Sequence, residues 1–299
     1  MVTATGSTTG RPRVLLVTMG LLPRGESGGE RLVAALDRAG VDARWVVWDD
    51  ADVDWACDLV VVRSPWDYHR RTAEFLAWAW RVERISPLLN GHDVFAWNAD
   101  KAYLLELAAH VPVVPTRLLD ERTLLTVLAG ALDDLGPVVV KPRTGAGGRG
   151  VVVVESVDDE RLGELSAGPW VVQPLVESVR TTGETSVFVL DGRAVAQVDK
   201  QPAGDEIRVH EQYGGRSRSV PLARATSGLA EAAVRAAADI LGRDLAYARV
   251  DMMVHDGGWS VGELELIEPG LYLVVDPANA DRFAELVVRH LQPFDRRPR

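Results

Sequence analysis

A glycine-rich segment between two runs of valine carries residue types that bind phosphate. It reads VVVKPRTGAGGRGVVVV over positions 138–154. Its lysine and glycines are Lys141, Gly145, Gly147, Gly148 and Gly150. The valine runs predict buried strands, and the glycines predict a loop whose backbone amides can surround an oxygen-rich ligand. No Lys-Ser or Lys-Thr closes the loop, which excludes the P-loop pattern. A flexible hairpin with an incidental lysine is the alternative.

Acidic residues near the carboxyl end form a second group that could do chemistry. Glu263 and Glu265 stand two residues apart in a predicted strand and therefore share one face. Asp251 lies in the preceding predicted strand. Carboxylates this close repel one another unless a cation lies between them, and a hard divalent ion with oxygen ligands meets that need. The pattern predicts a magnesium site, with a solvated acidic face on an edge hairpin as the alternative.

Polar and aromatic residues follow a predicted buried strand near the amino end. The segment RSPWDY at positions 63–68 comes directly after LVVV and contains Ser64, Trp66 and Tyr68. Ligands of open parallel sheets bind beyond the carboxyl ends of the strands. These side chains are therefore candidates for contact with a small polar substrate. A surface loop with Trp66 folded back on the sheet is the alternative.

The elements that must position the amino-terminal group follow from the hydrophobic pattern. Strands are predicted at 13–18, 42–48 and 59–63. A helix is predicted at 30–39, where Gly40 ends it. Strand, helix and strand at this spacing begin an open parallel sheet.

Two hairpins and a helix are predicted to position the remaining groups. One hairpin turns at Asp191-Gly192, and the acidic hairpin turns at Asp256-Gly257. Ahead of the glycine-rich loop, Asn98 is predicted to be the N-cap of a helix. The first turn of that helix then holds Lys101, where a cation opposes the helix dipole and is better explained by an anionic ligand.

Composition limits the kinds of partner and compartment. The 299 residues include 47% hydrophobic residues and carry a formal net charge of -10, which argues against nucleic acid as a partner. A single cysteine, Cys57, leaves no internal disulfide and fits a reducing compartment. Residues 1–11 are predicted to be flexible and lack the apolar core of a signal peptide, and no apolar run is long enough to span a membrane. We expect a cytoplasmic protein with small-molecule partners, and a homo-oligomer is compatible with these features.

Taken together, the motifs resemble those of the ATP-grasp ligases, most closely the glutathione synthetase and RimK-type branch. They follow the family's order over residues 13–291. The matching segments are Lys101, KPRTGAGG from Lys141, QPLV from Gln173, RVD from Arg249 and ELELIEP from Glu263. The resemblance implies an α/β protein of the ATP-grasp fold, with an N-terminal parallel α/β domain (1–97), a central lid domain (98–175) and a C-terminal domain (176–299). The last two are α+β lobes that hold ATP between them.

The resemblance also implies roles for individual residues. The nucleotide would be bound by Lys101, Lys141, Gly145, Gly147, Gly148, Gln173, Leu175, Val176 and either Glu177 or Glu184. Magnesium would be bound by Asp251, Glu263 and Glu265, the last of which is Asn in many members of the family. The catalytic residues would be Arg208 and Lys141, which steady the transferred phosphoryl group. Apart from the resemblance, we expect a substrate pocket between the N-terminal sheet and the acidic hairpin, lined by Ser64, Trp66, Tyr68, Glu268 and Tyr272.

The family's reaction implies an acyl phosphate intermediate. A carboxylate takes the γ-phosphoryl group of ATP, and a nitrogen nucleophile then displaces phosphate, so positioning and charge neutralisation supply the catalysis. The segments VRSPWDY, WNADKAYL, KQPAGDEIRVHEQYGG and ELELIEPGLYL resemble those of D-cycloserine synthetases within the family. That likeness implies ATP-dependent cyclisation of O-ureido-D-serine in antibiotic biosynthesis. An intermolecular amide ligase and a nucleotide-binding regulatory protein without turnover are the alternatives.

Overall fold

A computed structural model describes residues 10–165 and 168–291 of the chain. The predicted flexibility of residues 1–11 therefore falls mostly outside the described residues. Within that segment Arg11 is described, and its guanidinium forms an ion pair with Asp37 at 2.8 Å.

The amino-terminal region forms a parallel sheet of three strands, as predicted. The strands are β1 (Arg13–Thr18), β2 (Asp42–Val47) and β3 (Leu59–Ser64), in the order β2-β1-β3. The helices of this region are α1 (Gly29–Arg38), α2 (Thr72–Glu83) and α3 (His92–Asn98). The runs of valine and leucine in β1 and β3 are buried, because helices and a second sheet cover the two faces of this sheet.

The central region forms an antiparallel sheet around the glycine-rich loop. Its strands are β4 (Arg117–Leu119), β5 (Val138–Pro142), β6 (Val152–Val154) and β7 (Trp170–Pro174), in the order β4-β7-β5-β6. Helix α5 (Leu124–Leu135) packs on this sheet. A strand therefore follows the loop, as the second valine run predicts. Helix α4 (Tyr103–Leu107) lies within 98–175 but packs in the core of the amino- and carboxyl-terminal sheets.

The carboxyl-terminal region forms an antiparallel sheet of five strands. These are β8 (Glu184–Leu190), β9 (Arg193–Gln201), β10 (Arg216–Val220), β11 (Tyr247–His255) and β12 (Gly258–Glu265), in the order β10-β9-β8-β11-β12. The helices are α6 (Ser178–Thr181), α7 (Arg224–Leu241) and α8 (Ala278–His290). Both predicted hairpins are confirmed, with positive φ at Asp191-Gly192 (46° and 74°) and at Asp256-Gly257 (52° and 76°).

The hydrophobic residues form three clusters. Two of them combine side chains of the amino-terminal and carboxyl-terminal sheets. The third contains only side chains of the central sheet and its helix. Asn90 joins the amino-terminal and carboxyl-terminal regions, since its side-chain amide donates to the backbone oxygens of Tyr247 (2.9 Å) and Leu266 (2.8 Å) and accepts from Ala246 N. The predicted combination of a parallel α/β domain with two α+β lobes is confirmed.

The predicted N-cap role of Asn98 is wrong. Asn98 is the last residue of α3, and its side chain is buried against β12. There it donates to the backbone oxygen of Leu264 at 2.7 Å and accepts from the amide of Leu266 at 2.8 Å. An asparagine that can serve an edge strand in this way satisfies more buried backbone groups than it would at a helix end.

None of the described helices is both long and apolar enough to cross a membrane.

Candidate active site

A cavity of about 750 Å³ is lined by side chains from all three sheets and their loops. Most of the residues singled out in the sequence line it. They are Trp66, Tyr68, Lys101, Lys141, Gly145, Gly147, Gly148, Gln173, Leu175, Val176, Glu184, Arg208, Asp251, Glu263, Glu265, Glu268 and Tyr272. The fold therefore brings together groups that are up to about 200 positions apart in the chain.

Two of the predicted residues lie elsewhere. Ser64 is fully buried, and its hydroxyl is 2.9 Å from that of Thr18, beneath the cavity rather than on its wall. Glu177 is exposed, does not line this cavity and pairs with Arg180 at 2.8 Å. Of the two glutamates that were candidates for the ribose, only Glu184 lines the cavity.

The glycine-rich loop closes one side of the cavity. Gly147 and Gly148 have φ of 66° and 68°, which residues with a Cβ rarely adopt. The loop is held to the carboxyl-terminal region where Gln212 donates to Gly147 O at 2.7 Å. A Cβ on Gly148 would come within 3.1 Å of the imidazole of His210. The loop therefore depends on glycine both for its shape and for its close approach to the opposite wall.

Lys141 presents an unpaired positive charge to the cavity. It lies near the end of β5, directly before the loop. Burial lowers the pKa of its ammonium, against the attraction of Glu263. Among the residues that the structure describes, Lys141 has no hydrogen-bond or ion-pair partner, so that its ammonium is free to bind an anion in the cavity.

The three acids of the last hairpin face the same cavity. Asp251 of β11 pairs in register with Glu263 of β12, and Glu265 follows on the same face. The ammonium of Lys101 is 2.8 Å from Glu263. Burial alone would raise the pKa of Glu263, but Lys101 and Lys141 bring it below its ordinary value. Glu263 is therefore charged, in a buried and strongly cationic setting.

Arg249 is a member of the site that the sequence reasoning did not single out. Its guanidinium donates to Asp251 at 2.8 Å and to Glu265 at 2.5 Å. Burial and the charges of Asp251 and Glu263 raise the pKa of Glu265 well above its ordinary value, in spite of Arg249. Strand alternation could have indicated that Arg249 belongs to the site, since residues 249 and 251 must share a face of the strand.

Lys200 is a second residue beside the acids that the sequence reasoning did not assign to the site. It is 1% exposed and forms ion pairs with Glu184 and, at 3.5 Å, with Asp251. Lys200 of β9 stands opposite Glu184 of β8 in the register. Burial would raise the pKa of Asp251, but Arg249 and Lys200 lower it well below its ordinary range. The sequence carried no local signal for this pair, because counting back from the Asp191-Gly192 turn would place Asp199 opposite Glu184, and a β-bulge between Phe188 and Val189 shifts the register to Lys200.

The donor set suits magnesium, although the acids are paired with side-chain cations in this arrangement. Mg²⁺ prefers hard oxygen ligands, and three carboxylates on facing strands provide them. Among the described residues, no three acids or other ligating side chains converge closely enough to hold a metal ion as they stand. Their oxygens are taken by Lys101 and Arg249. Metal binding at this site therefore requires that these ion pairs be exchanged.

Arg208 lies at the wall opposite the glycine-rich loop. Its guanidinium stacks on the ring of Tyr213 at 3.7 Å and pairs with Glu206 at 2.5 Å. The hydrogen bond from Arg208 lowers the pKa of Glu206 to about 2. The Arg208 side chain is thus held in place over the cavity by an aromatic face and an acid.

The end of the cavity near the amino-terminal sheet is aromatic and acidic. The indole of Trp66 donates to the backbone oxygen of Glu268 at 3.1 Å, and Tyr68 lies close to the Glu268 carboxyl. Burial raises the pKa of Glu268 to about 7. Tyr272 closes this end with a φ of 53°. The compartment is small and suits a ligand that carries both a charge and a hydrogen-bonding group.

Two family models match the chain. Residues 14–90 match the N-terminal domain of D-cycloserine synthetase DcsG, and residues 103–253 match the ATP-grasp domain of prokaryotic glutathione synthetase.

Curated proteins show the same two similarities. Cycloserine biosynthesis protein DcsG of Streptomyces lavendulae is 33% identical over 281 residues, which cover 88% of this chain and 93% of that protein. A glutathione synthetase of Mesorhizobium japonicum is 27% identical and is matched over 55% of this chain and 53% of its own length.

Solved structures agree with these matches. The crystal structure of D-cycloserine synthetase DcsG superposes with a TM-score of 0.82 at 30% identity, over 94% of this chain and all of that one. D-alanine–D-alanine ligase from Bacillus anthracis has a TM-score of 0.66 at 17% identity, over 94% of this chain and 97% of that one, and shows the shared fold alone. ATP-grasp ligases use ATP and magnesium and act on a carboxylate. This chain is an ATP-grasp ligase, and it belongs to the family that includes D-cycloserine synthetase.

Proposed function

We propose that this enzyme cyclises O-ureido-D-serine to D-cycloserine at the expense of ATP. The observation that carries the proposal is one cavity that joins a phosphate-binding loop, an acidic hairpin and a small compartment. That compartment holds Trp66, Tyr68 and Glu268. The likeness to the cycloserine biosynthesis protein of Streptomyces lavendulae, over 88% of the chain, supports the choice of substrate.

The nucleotide is proposed to bind between the central and carboxyl-terminal regions. We assign its phosphates to Lys101, Lys141 and the backbone amides of the loop that contains Gly145, Gly147 and Gly148. The adenine is assigned to Gln173, Leu175 and Val176, which line the far end of the cavity. The ribose is assigned to Glu184, since Glu177 faces solvent. This arrangement supports the division into domains 1–97, 98–175 and 176–299.

Asp251, Glu263 and Glu265 are proposed to hold magnesium. The ion, when bound, would neutralise phosphate oxygens and so stabilise the charge that develops during phosphoryl transfer. The exchange of ion pairs frees Lys101 and Arg249 from their carboxylates, and both cations then face the anionic reactants.

The substrate is proposed to react as a single molecule that supplies both of its reacting groups. Glu268 holds the ammonium group, and Arg208 with Lys141 neutralises the phosphoryl group that the carboxylate accepts. The oxygen-bound nitrogen of the same molecule then attacks the acyl carbon, loses its proton and releases phosphate. Hydrolysis of the carbamoyl group that this nitrogen still carries, to carbon dioxide and ammonia, gives D-cycloserine. Proximity within one molecule replaces a second binding site, which agrees with a compartment bounded by Trp66 and Tyr272.

The test is ATP consumption with a defined substrate. The purified enzyme, with ATP and Mg²⁺, should release ADP when O-ureido-D-serine is added without any other amine, and mass spectrometry should detect D-cycloserine. The Asp251→Asn variant should fold and yet release no ADP, which controls for contaminating ATPases. ADP release that requires a second amino compound would replace cyclisation with intermolecular ligation. Absence of turnover with either kind of substrate would reject both substrate assignments.

A further inference from the structure

The segment that carries Glu268 has no helix or strand, and side chains fix its shape instead. It follows β12 and leads to Tyr272. The backbone oxygens of residues 267–271 each accept a hydrogen bond from a side chain. The donors, in order along the segment, are Tyr247, Trp66, Arg63, Arg249 and Asn279. We call residues 267–272 the substrate loop.

An ion pair of the amino-terminal domain lies directly under this loop. Arg63, at the end of β3, donates to Pro269 O at 2.5 Å and lies 3.3 Å from a carboxylate oxygen of Glu26. The other carboxylate oxygen of Glu26 accepts from the amide of Leu271 at 2.7 Å. The pair therefore holds the loop at two points, on either side of Gly270.

The pair is costly to bury. Arg63 is 0% exposed and Glu26 is 5% exposed, and the Nε of Arg63 has no hydrogen-bond partner among the described residues. The guanidinium lies 4.5 Å from the ring centre of Phe283. Two buried charges with an unsatisfied donor often stabilise a fold less than apolar side chains of the same volume would. The contacts to the loop therefore explain the presence of this pair better than a contribution to stability does.

Glu26 lines the cavity, but other groups already occupy its carboxylate. Both carboxylate oxygens of Glu26 are engaged, by Arg63 and by Leu271 N. The side chain of Arg63 does not line the cavity. Besides the Glu26 side chain itself, the pair reaches the site through the loop, which carries the two residues assigned to the substrate, Glu268 and Tyr272.

We propose that Glu26 and Arg63 are positioning residues through which the amino-terminal domain sets the shape of the substrate loop and hence the affinity for the carboxylate substrate. This inference rests on the proposed function only where it assigns the substrate to Glu268 and Tyr272. A displaced Leu271 amide moves Gly270, whose Cα faces Trp66 and Arg249 across the compartment. Loss of the pair should therefore loosen the substrate end and leave the nucleotide end unchanged.

The first measurement is hydrogen–deuterium exchange of peptides that span residues 268–273, which needs no turnover. Glu26→Ala removes the acceptor of the Leu271 amide and should increase exchange there by at least about tenfold. Arg63→Met removes the other half of the pair and should also increase exchange. If that variant does not fold, Arg63→Lys takes its place. It keeps the charge opposite Glu26 but loses the planar guanidinium, and it should give a smaller increase. Arg38→Met is the matched control, because it breaks an exposed ion pair with Asp281 at the same domain boundary.

The second measurement separates positioning from general stability. In Glu26→Ala, KM for the carboxylate substrate that the wild type turns over should rise about tenfold or more. KM for ATP should stay within about twofold of the wild-type value. Unchanged exchange in the loop would overturn the inference, as would a loosened loop with both KM values unchanged. If the wild type does not use O-ureido-D-serine but the loop still loosens, the proposed function fails and the positioning role of the pair stands.

Discussion

The protonation of Glu268 gives the sharpest test of the electrostatics of the site. Burial raises the pKa of its carboxyl from an ordinary value of 4.5 to about 7. Below pH 4.5 the group is protonated in both the folded and the unfolded chain, and burial costs it nothing. As the pH rises towards 7, the unfolded chain loses the proton and the folded protein keeps it, so that the folded state becomes progressively less stable.

The magnitude follows from this difference in pKa. The full cost above pH 7 is about 3 kcal/mol, because a difference of one in pKa corresponds to about 1.4 kcal/mol. Between pH 5.5 and pH 8 the cost grows by about 2 kcal/mol. Glu268→Gln carries no ionisable group at this position. The variant should therefore gain about 2 kcal/mol in free energy of unfolding relative to the wild type over this range.

The assay is urea denaturation of wild type and variant at pH 5.5 and pH 8, in buffer with EDTA so that no metal ion contributes. Glu285→Gln is the control, since Glu285 is exposed on α8 and solvent surrounds its carboxylate. A constant stability difference between Glu268→Gln and wild type at both pH values would refute the argument. It would mean that the carboxyl is ionised in the folded protein throughout this range.

Two further predictions concern the loop and the junction of the domains. Gly148→Ala should raise KM for ATP about tenfold, since a Cβ at a φ of 68° would also meet His210 at 3.1 Å; Gly163→Ala, with open space around it, should leave this KM unchanged. An equal KM in both variants would remove the loop from nucleotide binding. Asn90→Ala should lower the free energy of unfolding by about 3 kcal/mol, because it leaves buried backbone groups unpaired. A loss below about 1 kcal/mol in urea denaturation would contradict this.

The regular elements could be predicted because their local signals agree with the tertiary contacts. The valine runs of β5 and β6 are buried against a sheet, as branched residues favour. Asp191-Gly192 and Asp256-Gly257 supply the positive φ values that tight hairpins require. Strand alternation then places Glu263 and Glu265 on one face, which could be predicted before any coordinates. The turn alone would pair Asp251 with Gly262, and the pairing with Glu263 arises from a β-bulge between Asp251 and Met252.

The remaining features depend on contacts that local patterns do not carry. The sequence around Asn98 is typical of an N-cap, but its side-chain amide instead forms hydrogen bonds with β12, more than 160 positions away. Ser64 and Trp66 are equally close to the end of β3, and strand alternation does not say which of them reaches the cavity. Arg63 reads as a polar residue of a ligand-binding edge, whereas burial beside Glu26 turns it inward.

The separate core of the central sheet has a consequence for how the chain folds and melts. That cluster draws only on residues between Leu119 and Val172, while the other two clusters each interleave both ends of the chain. The central sheet can therefore lose its structure without exposing the apolar interior of the rest, and the two terminal regions must unfold together. Calorimetry of the free protein should thus resolve a smaller and a larger transition. A nucleotide that touches both units would merge them, because it binds only when both are folded.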